Sequence, residues 1–183
     1  MAAALLLGRV MFAMLSQRPI KRGIEAALLA SVPQVLLPKV EERLLLGPGE
    51  DADLGPRLVE RVAHMTRRPL REDTKWLAAS AFHFGYSMLW GILYALAFRR
   101  WRPHPLLGGV TLASVIWGIT FPRWGGAVLT GTERPPERRS WRQELVLATA
   151  ALTFGLGTAL FYGRPSGRPS GRRARADARA RAS

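Results

Sequence analysis

The sequence predicts an all-α fold, a multi-pass transmembrane helical bundle of about four spans with one amphipathic surface helix and a disordered basic C-terminal tail. Three observations predict it. Trp76 to Phe98 is a run of 23 residues without a formal charge, and at about 1.5 Å of rise per residue it crosses a hydrocarbon core roughly 30 Å thick. Apolar blocks are segregated from arginine-rich ones, so a near-zero mean hydropathy conceals a membrane pattern. Small residues also recur four apart within the apolar blocks, the spacing at which helices approach closely in lipid.

Residues 1–22 form an apolar and basic lead-in, 23–162 the transmembrane domain and 163–183 the tail. Met1 to Leu15 is apolar, short and interrupted by Arg9, and it lacks the positive start of a secretory signal. Two readings stay open. It is an interfacial or partly buried helix, or it precedes a start at Met11 or Met14, which puts Arg18, Lys21 and Arg22 at the head of the first span.

The spans are expected over residues 23–40, 76–98, 106–123 and 145–162. The first is the shortest in apolar residues and contains Pro33 and Pro38. Each proline removes a backbone donor and leaves a carbonyl that another group must cover. Gly47-Pro48-Gly49 ends that helix. Next come the acidic turn Glu50, Asp51 and Asp53 and a helix over about 55–67, where Leu58, Val62 and Met65 form an apolar stripe. That pattern suits a helix lying on the membrane or capping the bundle. The second and third spans are joined by a short connection rich in arginine and proline, which forces an antiparallel hairpin. Pro122 ends or kinks the third span. Beyond the fourth, the repeat RPSGRPSGR and the Arg/Ala stretch after it have almost nothing to bury.

Contact faces are expected along Ser87, Gly91 and Ala95; along Gly109 and Ala113, then Ser114 and Gly118; and along Ala151, Gly155 and Ala159. A tail in the cytoplasm brings the connection at Arg99 to Arg102 and the N-terminus to the same side, so both termini are expected there.

The net charge of +14 rests mostly on arginine. The basic residues cluster at the ends of apolar segments, so anionic lipid headgroups are the expected partners, with a protein partner or a second copy as further options. The arginine tail lacks interleaved aromatics, which argues against nucleic acid. With no cysteine, disulfides, thiolate metal sites and cysteine nucleophiles are excluded. Neither a phosphate-binding glycine loop nor a nucleophile elbow is present, and no cofactor or metal is expected.

His83 is the leading polar candidate. It lies about 7 residues, roughly 10 Å, into the second span, with Ser87, Trp90 and Tyr94 on the same face. An ionisable group at that depth suits a proton carrier or a ligand contact, and equally a neutral imidazole bonded to a neighbouring helix. Glu41, Glu42 and Glu60 with His64 could assemble a carboxylate and histidine site at the surface, although exposed ion pairs explain them too. Arg123 and Glu133 could pair across the turn after the third span to form a surface for a headgroup or partner.

The layout resembles uncharacterised bacterial membrane proteins of the YagU type. The resembling residues are Leu37-Pro38-Lys39-Val40-Glu41; His83, Gly85 and Tyr86 followed by Trp90-Gly91; and Trp117-Gly118 ending at Phe121-Pro122. The resemblance implies a bacterial inner-membrane setting and no catalytic residues. The expected function is therefore a non-enzymatic membrane component that binds lipid or a protein partner. A small transporter or proton pathway using His83 and Tyr94 is second, and a membrane enzyme with a surface Glu/His site is third.

Overall fold

The computed structural model describes residues 17–47, 54–65, 71–101 and 103–164. The lead-in Met1 to Leu15, the acidic turn at Glu50 to Asp53 and the tail after Arg164 lie outside them. The described residues are helical and contain no strand: α1 (Arg18–Leu45), α2 (Leu54–Met65), α3 (Glu72–Ala97), α4 (Pro105–Thr120), the single turn α5 (Gly126–Leu129) and α6 (Trp141–Gly163), with a 3-10 turn at Pro136–Arg138.

Two of these helices, α1 and α6, are long and apolar enough to cross a membrane. α3, which contains the longest uncharged run, is 26 residues long but is not one of the two. His83, Ser80, Ser87 and two tyrosines dilute its apolar character. α4 is apolar but has only 16 residues, because Pro122 follows and the chain turns at Phe121.

α1 runs unbroken through Pro33 and Pro38. It is therefore longer than the span expected over 23–40, and packing against two neighbours holds it together. α1 packs on α3 and α6, and α6 packs on α4. All three pairs are antiparallel, since Gly23 near the start of α1 meets Gly91 late in α3, and Gly109 early in α4 meets Gly155 late in α6. The α1/α6 pair is clasped at both ends. Arg22 Nη2 donates to the Tyr162 carbonyl at 3.0 Å, and Arg142 Nη1 donates to the Leu45 carbonyl at 3.3 Å. Each guanidinium thus covers terminal carbonyls that a helix leaves open.

Small residues make the crossings. A β-carbon on Gly91 would collide with the Gly23 carbonyl, and one on Gly155 with the Gly109 carbonyl. Ser87, Ala95, Ala113, Ala151 and Ala159 are buried beside them. The expected Ser114 and Gly118 face is different. Ser114 is exposed and a β-carbon on Gly118 would have open space around it. One residue further along a helix is a turn of about 100°, so this stripe lies beside the tight contact with α6 rather than in it. The interior is completed by Trp90, Leu112, Ile116 and Phe154 against Ala27 and Ala30.

Candidate functional site

The closely packed half of the molecule holds the start of α1 and the end of α3. Toward the other end the helices part, leaving a cavity of about 610 Å³ bordered by α1, α3, α4 and α6 and roofed by α2 and α5. Its walls are largely apolar, with polar groups at a few points. Two of these stand out. His83 and Gln34 line the cavity, and His83 Nε2 and Gln34 Oε1 are both buried without a hydrogen-bond partner.

The His83 ring lies against the backbone of Ser31 on α1. Gln34 lies three residues beyond Ser31, which puts both on one side of α1. Also in the cavity wall, the Tyr86 hydroxyl and Thr120 Oγ1 are paired at 3.1 Å and bridge α3 to α4.

Polar ties hold the roof. Lys75 of α3 forms an ion pair with Glu60 of α2 and another with Glu72 at 3.6 Å. The hydrogen bond with Glu60 raises the Lys75 pKa above its ordinary 10.5, against a smaller opposing effect of desolvation. Arg57 pairs with Glu133 at 3.5 Å, and Arg61 Nε donates to the Thr130 carbonyl at 3.2 Å. Gly131 has φ +68 and lies against that same guanidinium, a conformation and closeness that suit glycine.

The loop from Phe121 to Ser140 is organised by two buried charges. Glu133, with no exposed side-chain surface, accepts from the Arg134 N–H at 2.9 Å and from Gln143 Nε2 at 3.1 Å. Arg139, equally enclosed, forms an ion pair with Glu144 at 2.9 Å. It also donates to the Phe121 carbonyl at 2.5 Å and to the Arg134 carbonyl at 2.7 Å. Ser140 then caps α6 by accepting from the Gln143 N–H.

These contacts redistribute the candidates read from the sequence. Arg123 is exposed and pairs with Glu137 at 4.0 Å, while Glu133 turns inward to Arg57, so the expected Arg123–Glu133 pair does not form. The turn around α5 points the two side chains in different directions. Glu41 Oε2 accepts from Thr149 Oγ1 at 2.5 Å, joining α1 to α6. His64 is exposed on α2, and Glu60 is engaged by Lys75. Among the described residues no group of three histidine, aspartate or glutamate side chains could hold a metal ion. Tyr94 is buried among Phe98, Tyr162 and Gly108 and lies outside the cavity that contains His83.

The sequence reading passed over Gln34 and Arg139. Gln34 carried a usable signal, as the lone amide in an otherwise apolar stretch. Nothing in the sequence distinguishes Arg139 from its neighbour Arg138.

No family model matches the chain, and no curated protein or solved structure is detectably similar to it.

Proposed function

We propose that this protein is a multi-pass integral membrane protein whose four long helices cross the bilayer as a bundle, and that it serves as a non-enzymatic component binding lipid or a protein partner. The observation that carries the reading is the outer surface. Large apolar side chains face outward on all four helices, among them Leu36 at 61%, Leu77 at 71%, Leu107 at 56% and Leu160 at 55% exposure. The closest helix crossings inside are made by glycine, alanine and serine, the arrangement expected when lipid surrounds the helices.

The ends of the helices agree. Trp101, Trp124 and Trp141 are each about 70% exposed at helix ends, where indole rings favour the headgroup region. Among the described residues, one end holds Arg18, Lys21, Arg22, Arg99, Arg100 and Arg164 with a single acid, Glu25, while the other mixes both signs. By the positive-inside rule the first end is cytoplasmic and meets anionic headgroups. The resemblance to YagU-type proteins lends a bacterial inner-membrane setting.

The cysteine-free chain permits a direct test. Single cysteines replacing Arg100 and Arg138 should react oppositely with a membrane-impermeant maleimide in intact cells, with only position 138 labelled. Labelling of both, or of neither after permeabilisation has shown them reactive, overturns the four-span topology.

His83, whose buried Nε2 lacks a hydrogen-bond partner, supports a second reading, a proton or solute pathway. Reconstituted liposomes distinguish the two: a pathway produces a leak that His83→Ala alters, and a binding component produces none.

A further inference from the structure

α2 is attached to the bundle differently from the four long helices. Those cross through glycine and alanine at close backbone contact, whereas no residue from Leu54 to His64 is buried. Leu54, Gly55, Pro56 and Leu58 cover the cavity instead of entering a packed core. Ties to the neighbouring elements run through charged groups: Glu60 to Lys75, Arg57 to Glu133 and Arg61 to the Thr130 carbonyl. The Glu60 side chain is half exposed and that of Arg57 nearly a third, so water competes for these pairs. An element without buried side chains and with solvent-reachable polar ties opens at less cost than unfolding the whole. Once released, α2 also has a surface to rest on. Leu58 and Val62 share an apolar stripe with Arg57, Arg61 and His64 off it, the pattern of a helix that lies on a membrane.

We propose that α2 is a lid, which lifts from α3 as a unit and connects the cavity to the aqueous side on which the loop from Phe121 to Ser140 lies. This goes beyond the reading of the protein as a binding component, because it gives the cavity a route that does not pass through lipid. Gly55 and Ala79 mark where the lid sits on α3. A β-carbon on Gly55 would lie 3.6 Å from that of Ala79, within the range of roughly 3.5–4.5 Å spanned by the β-carbons of a disulfide. A Gly55→Cys/Ala79→Cys pair can therefore lock the lid shut, in a chain that has no cysteine of its own.

The test places a reporter in the cavity wall, Ala150→Cys on α6, in the full chain in lipid nanodiscs. The reagent is a sulfonated maleimide, whose charge keeps it out of the hydrocarbon, and mass mapping reads the adduct at position 150. The reporter should react slowly without the lock. Adding Gly55→Cys/Ala79→Cys and oxidising the pair should slow that reaction at least about tenfold, and reduction should restore it. Equal rates in the oxidised and reduced forms overturn the lid, as does a reporter that reacts only after unfolding. Failure of the 55–79 disulfide to form overturns the placement of α2 on α3. Hydrogen exchange on the natural chain needs no variant: the amides of α2 should exchange together and at least about tenfold faster than those of α1 and α3, and equal protection overturns the lid. Exchange does not depend on which side of the membrane α2 occupies, so failure of the lid and failure of the four-span topology are read separately.

Discussion

Gly91 on α3 and Gly23 on α1 stand so close that a β-carbon on either would collide with the carbonyl oxygen of the other. Ala27 and Ala95 continue the contact on either side. In lipid, where hydrophobic exclusion does not drive helices together, this closeness gives dispersion contacts a short range over which to act. The crossing also determines where the two helices separate, and hence where the cavity begins.

Gly91→Ala should destabilise the protein by about 1–3 kcal/mol, the usual cost of forcing atoms into a packed contact. Gly118→Ala should change stability by less than about 0.5 kcal/mol, because its β-carbon enters open space. Unfolding in a graded detergent mixture measures both, and equal effects would count against the crossing.

Arg139→Leu should cost about 3–5 kcal/mol, since it strands Glu144 and two backbone carbonyls beside a buried site. The loop should loosen with it. Trypsin cleavage after Arg138 should become faster in the variant, and an unchanged rate would show that the loop is held by other contacts.

Thr149→Val keeps the shape of the side chain and removes the donor to Glu41, so a loss of about 1 kcal/mol is expected. Glu41→Gln combined with Thr149→Val should recover little of it. Thermal unfolding of the single and double variants gives the coupling directly.

Lys75 gives the roof helix a pH dependence. Its folded pKa is raised above 10.5, chiefly by Glu60, so its contribution to docking is complete below 10.5 and is lost as pH rises through the folded value. A spin label on a cysteine at exposed Val62 should gain mobility in that alkaline range. Lys75→Met should remove the transition, and an identical titration in the variant would exclude the ion pair as its cause.

The four long helices were legible because length, apolar runs and proline positions are local properties of a chain. The helices expected over 76–98 and 145–162 appear as α3 from Glu72 to Ala97 and α6 from Trp141 to Gly163, each extended at its start by residues that enter the first turn. α1 passes Pro33 and Pro38 without a break, which local rules disfavour and contacts with α3 and α6 permit. The small-residue stripes were legible on α3 and α6. On α4 two candidate stripes existed, and only the position of α6 selects Gly109 and Ala113 over Ser114 and Gly118.

Order along the chain is enough to give the helical class, the charge asymmetry of the helix ends and the place of His83 on its helix. Tertiary structure alone decided that His83 shares a cavity with Gln34 while Tyr94 does not, that Glu133 turns to Arg57 rather than Arg123, and that Nε2 is left without a partner. The physical reason is distance. A hydrogen bond forms or fails within a few tenths of an ångström, and that separation is set by how α1 and α3 diverge after the Gly23–Gly91 crossing.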